Sequence, residues 1–162
     1  MTAMNNLSPE STERELVITR VFDAPRELVF KAWIDPKHVA QWWGPRGFTN
    51  PVCELDVRPG GAIYIEMTGP DGIAIPNRGM FHEVVEPERL VFSTIAFEDE
   101  DGHPNLEVLN TITFADHEGS KTKLTLQAVV MKATPQMAGP LSGMSQGWNE
   151  SLDRLAEALL QA

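Results

Sequence analysis

Cysteine is almost absent from this chain: Cys53 stands alone, so no intrachain disulfide can form and no thiolate cluster can hold a metal. Such usage fits a reducing compartment, and a cytoplasmic location is expected. Positive charge is scarce as well. Lys and Arg number 13 against 23 Asp and Glu, a formal charge of −10, which works against the counterion release that drives phosphate-backbone binding. Nucleic acid is not an expected partner. Long apolar runs are missing too: nothing approaches the ~20 residues a spanning helix needs, and the opening MTAMNNLSPESTERE has no apolar stretch of a secretion signal. No membrane partner is expected. The chain also lacks low-complexity tracts and repeats at a solenoid period, so one fold is sought in sequential elements.

What is present is an ordinary globular mixture, 42% hydrophobic and 22% charged. A chain of this mass is expected to bury roughly 18,000 Å², about 69% of what it exposes unfolded. Residues 1–13 read as a disordered leader and 14–162 as a single domain. Glu15 to Phe22, rich in β-branched residues, reads as a strand. Asp23-Ala24-Pro25 then opens a helix, with Asp23 as its cap and Val29, Ala32 and Trp33 on one side. Asp35-Pro36 starts a second short helix carrying Val39, Trp42 and Trp43, and Gly44-Pro45 ends it.

From Pro51 to Met131 the pattern is a meander. Turn signals such as Pro59-Gly60-Gly61, Gly69-Pro70-Asp71-Gly72 and Asp101-Gly102 separate strands near 52–57, 62–68, 78–85, 89–97, 107–115 and 122–131. With the opening strand this makes about seven, joined by short connections that favour antiparallel pairing. Val108, Ile112 and Phe114 share one side of their strand, as do Leu124, Leu126, Ala128 and Val130, while threonines, lysine and glutamine occupy the other. A long helix closes the chain, its stripe being Leu141, Met144, Trp148, Leu152, Leu155 and Leu159; Pro140 is expected in its first turn, with Thr134-Pro135 a weaker earlier start. The architecture is α+β: a strongly curved antiparallel sheet, two short helices and a long C-terminal helix across the dry face. One helix cannot fill that concavity, so a cavity between helix and sheet is expected.

Phe22-Asp23-Ala24-Pro25-Arg26-Glu27-Leu28-Val29-Phe30-Lys31-Ala32-Trp33, then Asp35-Pro36 and Trp42-Trp43-Gly44-Pro45, resembles the opening signature of domains homologous to the C-terminal part of the Aha-type heat-shock chaperone ATPase activator. Arg58-Pro59-Gly60-Gly61, Glu83 to Phe92, and Gly147-Trp148 followed by Ser151-Leu152-Asp153-Arg154-Leu155 look like the same family. The likeness runs from Glu15 to Leu160. It implies membership of the START and polyketide-cyclase (SRPBCC) superfamily and a helix-grip fold of seven strands around a long C-terminal helix. Members of that superfamily bind assorted apolar ligands, cyclise polyketides or sequester reactive natural products, so fold alone leaves function open. The eukaryotic activator carries an additional N-terminal chaperone-binding domain, for which this length is expected to leave no room.

Candidate chemistry is sparse. His38, His82, His103 and His117 lack the i, i+4 spacing that places two imidazoles on one metal, and Asp99-Asp101-Gly102 fails as a calcium loop because Phe97 falls where the first carboxylate belongs. Neither a metal nor a cofactor is implied. Cys53 shares a strand row with Leu55 and Val57 and reads as a buried, inert thiol. Gly139, Gly143 and Gly147 recur every four residues; the first two are expected to point away from the helix stripe, as a cap and a flexible first turn. His82 and Glu83 are the candidates for acid–base catalysis. Phe81 suggests that its row, with Gly79, Glu83 and Val85, faces inward, but a bulge would reverse that alternation, and the choice stays open. Asn110 interrupts an apolar row, where an unpaired amide costs ~1–3 kcal/mol; it serves either a neighbouring group or a ligand.

The leading expectation is a domain that binds a small apolar molecule. Phe81, Phe92 and Trp148 are its walls, Met67 and Met144 adaptable surface, Asn110 the orienting polar group, and Trp43 and Phe48 stand near the entrance. The alternatives are a stress-response domain contacting a chaperone, and a cyclase- or hydrolase-like enzyme in the same cavity. A homodimer is compatible with the sequence.

Overall fold

The computed structural model describes residues 15–160; the leader expected over 1–13 lies outside them. The elements are β1 (Glu15–Phe22), α1 (Arg26–Ile34), α2 (Pro36–Trp42), β2 (Thr49–Leu55), β3 (Ala62–Thr68), β4 (Ala74–Val85), β5 (Arg89–Glu98), β6 (Pro104–His117) and β7 (Lys121–Ala133). A 3-10 turn (Pro135–Met137), α3 (Ala138–Ser142) and α4 (Met144–Leu160) follow. The strands form one antiparallel sheet in the order β1-β7-β6-β5-β4-β3-β2. Sequential hairpins explain every neighbour pair but one. β1 lies beside β7 and β2 on the far edge, so the connection holding α1 and α2 must traverse the sheet. Together with α4 this makes the α+β helix-grip fold.

Alternation decides what faces the helices. Ile63 and Ile65, Leu90 and Phe92, Ile112 and Phe114, and Leu124, Leu126 and Ala128 are buried on one face, where Val29, Phe30, Trp33 and Trp42 from α1 and α2 and Leu152 and Leu155 from α4 meet them. Gly79 permits close strand approach: a Cβ there would lie 2.0 Å from the Ser93 carbonyl oxygen on β5. No larger residue fits at that point.

Two helix starts differ from the sequence reading. Asp23 does not cap α1. Pro25 takes the N-cap position in an extended conformation (φ −65°, ψ 151°) with no side-chain cap, because the residue before a proline is held out of the helical region and Ala24 cannot be the first helical residue. Asp35 does cap α2, its carboxylate accepting from Lys37 N–H at 2.9 Å. The C-terminal helix is divided: α3 ends at Gly143, whose missing Cβ makes helix continuation costly, and α4 begins at Met144. The Thr134-Pro135 start corresponds to the 3-10 turn.

Candidate functional site

The first two turns of α4 cross the sheet where both sides offer small residues. Gly143 just before α4, joined to it by the Gly147 N–H to Gly143 carbonyl bond at 2.9 Å, and Gly147 and Ser151 within it follow at intervals of four and so lie on one side, and Asn77, Thr94 and Val108 lie on the strands beneath. The result is a cavity of about 390 Å³ that opens to solvent. Met144 and Trp148 bound it from α4, Trp43, Pro45 and Phe48 from the segment after α2, and Met67, Phe97, Leu106 and Asn110 from the sheet. None of its lining residues carries a charged side chain. Gly143 lies on the cavity lining as well as ending α3; Gly147 has open space beside it, since a Cβ there would meet only Pro45 Cγ at 3.7 Å.

Six of the residues singled out from the sequence, Trp43, Phe48, Met67, Asn110, Met144 and Trp148, lie on this one cavity. Phe81 and Phe92 do not. They pair across β4 and β5 with ring centroids 6.3 Å apart and border an adjacent void of about 20 Å³ with Trp33, Trp42 and Trp43, room for about one water. Trp33 and Trp43, each with its ring centroid 6.3 Å from Phe92, cover that ring. Trp148 stacks on Trp33 (6.1 Å, 22°) and meets Trp43 edge-on (5.5 Å, 79°).

His82 and Glu83 are both exposed, outside the cavity lining. A bulge explains this: Phe81 pairs with Phe92 and Glu83 with Val91, so His82 is an extra residue on β4. Alternation restarts after it, leaving Phe81 buried and turning both His82 and Glu83 outward. The His82 ring nitrogen Nε2 lies 3.1 Å from Ser93 Oγ, and Glu83 accepts from Arg89 at 3.1 Å. Proton transfer by these two groups inside the cavity has no geometric basis.

Phe97 was not expected as a wall. Strand alternation buries Ala96 and would turn Phe97 to solvent, but Phe97 has φ +57° and lines the cavity. Its carbonyl accepts from Asn105 Nδ2 at 2.7 Å, which braces this left-handed backbone. Nothing in the sequence signals it. The row Gly143, Gly147, Ser151 is the signal that was available, a face of small residues on a core-facing helix.

Asn110 is 1% exposed, flanked by Phe92 and Ala128 across the sheet. Its Nδ2 donates to the Phe92 carbonyl at 3.3 Å and lies 3.4 Å from Thr94 Oγ1. Its Oδ1 is buried without a donor. The segment bearing Trp43 is fastened to α4: Arg154 Nη1 donates to the carbonyls of Trp43, Gly44 and Pro45 at 2.9–3.1 Å, and Nη2 to that of Gln41 at 3.0 Å. Nearby, Arg46 N–H donates to Glu150 at 3.0 Å and its guanidinium to Glu157 at 3.2 Å. The hydrogen bond from the Gln146 side chain, and after it that from Arg46 N–H, holds the Glu150 carboxyl below its ordinary pKa, and the Arg46 guanidinium does the same for Glu157.

Cys53, half-buried on β2, lies outside the cavity lining, and burial followed by the charge of Glu54 pushes its thiol up to about 11. At the β5–β6 turn, Asp99, Asp101 and His103 converge at the exposed tip. Asp99 Oδ1 already accepts the backbone N–H groups of Asp101 and His103 at 2.9 and 2.8 Å, the ordinary way an aspartate closes a turn. Among the described residues no helix is long and apolar enough to cross a membrane.

Comparison with known proteins places residues 23–160 on the model of a family described as Activator of Hsp90 ATPase homolog 1-like protein. No curated protein matches. Among solved structures, a Chromobacterium violaceum protein is 28% identical, covering 89% of this chain and 96% of its own, with a TM-score of 0.74. A Nitrosomonas europaea protein is 26% identical over 92% of this chain and 96% of its own, at 0.75. A protein from Arthrobacter aurescens reaches 0.79 over 93% and 88% at 24% identity, a likeness of fold alone.

Proposed function

The chain belongs to the Activator of Hsp90 ATPase homolog 1-like family, and on that footing we propose that its function is to bind one small, largely apolar molecule between α4 and the sheet. The observation that carries this reading is the cavity of about 390 Å³, whose lining includes Trp43, Phe48, Met67, Phe97, Met144 and Trp148 and no charged side chain. Aromatic rings and thioethers offer contact area that adapts to a ligand's outline. Withdrawing roughly 200 Å² of a bicyclic aromatic probe from water contributes about 5 kcal/mol.

Benzofuran titrated into the protein by calorimetry tests the reading. Saturable binding at one equivalent is expected, together with a loss of at least tenfold in Gly147→Leu, whose new side chain enters the cavity and whose melting temperature stays at or above that of the wild type. Absence of saturable binding, or equal binding by the variant, sinks the proposal. A second reading follows from the family description, which names the Hsp90 ATPase: the exposed surface contacts a chaperone. Addition of the protein to a chaperone ATPase assay should then change the rate, and an unchanged rate removes it.

A further inference from the structure

We infer that the molecule this cavity accommodates is neutral and carries an N–H or O–H group that it donates to Asn110 Oδ1; this rests on the cavity being a binding site. Four observations lead there. The carbonyl of Phe92 can only accept, so its 3.3 Å contact with Asn110 fixes which end of the amide is nitrogen. The two protons of that nitrogen are directed to Phe92 O and Thr94 Oγ1, which leaves the oxygen as the group in need of a partner. That oxygen exposes essentially no surface, either to bulk solvent or to the cavity, and has no donor within the protein, so a donor in the cavity reaches it only once the amide turns. Asn110 itself forms part of the cavity wall.

Asn50 Oδ1 is buried and unpaired as well, but only Asn110 also borders the cavity, where an entering molecule can supply the missing donor. A ligand with a donor gains that hydrogen bond, whereas one without leaves the oxygen unpaired as it is in the free protein. Both bonds from the amide nitrogen are long, and the terminal torsion of asparagine is soft, so turning Oδ1 toward a donor in the cavity sacrifices little. Charge is decided by what the wall omits. An anion would find no cation there and an ammonium no carboxylate, and an unpaired buried ion is far costlier than an unpaired amide. Asn77 does not alter this, since its amide is neutral and one of its two N–H groups already donates to the Ile75 carbonyl at 3.3 Å.

Indole and benzofuran have nearly the same shape and differ in whether the ring heteroatom donates. Their affinities for the wild type, Asn110→Leu and Asn110→Ala, with benzofuran-2-carboxylate as the anionic probe, test the inference. Indole should bind the wild type roughly tenfold more tightly than benzofuran. The two should become equal within about twofold in whichever asparagine variants fold, and the carboxylate should bind weakest. Equal binding of indole and benzofuran by the wild type overturns the inference while leaving the cavity reading intact. An indole preference that survives in the variants, or tightest binding by the carboxylate, also overturns it. If neither neutral probe binds, the inference and the cavity reading fall together.

Discussion

Asn110 occupies a position that a leucine could fill, and stability alone would favour the leucine. The native residue gains two long hydrogen bonds and leaves Oδ1 unpaired, whereas an apolar residue of similar volume removes the orphan altogether. Asn110→Leu is therefore expected to raise stability by about 1 kcal/mol, a melting temperature higher by roughly 2–4 °C, while erasing the preference for donor ligands. Calorimetric melting checks this, and a fall of comparable size would mean that Oδ1 is partnered in solution. Cys53 shows the opposite use of burial. With its pKa pushed up to about 11, its neutral form adds stability that is fully present below the unfolded thiol value and is lost as pH rises through about 11. Iodoacetamide at pH 7.5 should label it on the order of a hundredfold more slowly than a free small thiol, with the rate climbing toward pH 11. Labelling as fast as the free thiol would show that the site is not desolvated. Cys53 was legible only in part, since its strand row read as buried and the structure leaves it half-buried; Phe97 was not, because its left-handed backbone is braced by Asn105, a partner eight residues away.

At the scale of elements, one guanidinium joins α4 to the segment following α2. The carbonyls of Gln41, Trp43, Gly44 and Pro45 converge where α2 ends, a site of partial negative charge, and Arg154 donates to all four. Removing it in Arg154→Ala should destabilise the fold by about 2 kcal/mol and weaken benzofuran binding, since the Trp43 wall loses its tether. Arg154→Lys, with a compact ammonium in place of a planar fork, should recover less than half of either effect. Thermal melts paired with the benzofuran titration measure both; wild-type values for the alanine variant would show that the clamp is dispensable. The elements themselves were readable because their signals are local: Asp35-Pro36 before a Val39-Trp42 stripe is a helix start wherever it occurs, and the β6 and β7 rows repeat every second residue. The bulge at His82 was not, since an extra residue in a strand is defined only by its partner, here Phe92 and Val91 on β5.

For the whole molecule, the crossing of α4 over the sheet decides whether space is left between them. Chain order and hydrophobic period required the crossing. They did not set its clearance, which depends on Gly143, Gly147 and Ser151 above and Asn77, Thr94 and Val108 below all being small at one place. Phe81 and Phe92 had the right composition for walls, but Trp33 and Trp43 cover the Phe92 ring and Phe81 packs against Phe92, so composition alone could not separate core from lining. The net charge of −10 is absent from the lining and so does not define the ligand. Methionine methyl groups provide the most direct reading of where a ligand sits: Met67 and Met144 line the cavity, while Met80 and Met131 are exposed outside its lining. With ¹³C-methyl methionine and benzofuran as titrant, the Met67 and Met144 resonances should shift together and saturate while Met80 and Met131 stay fixed; shifts confined to Met80 and Met131, or no saturable shift at Met67 and Met144, would contradict an interior binding site.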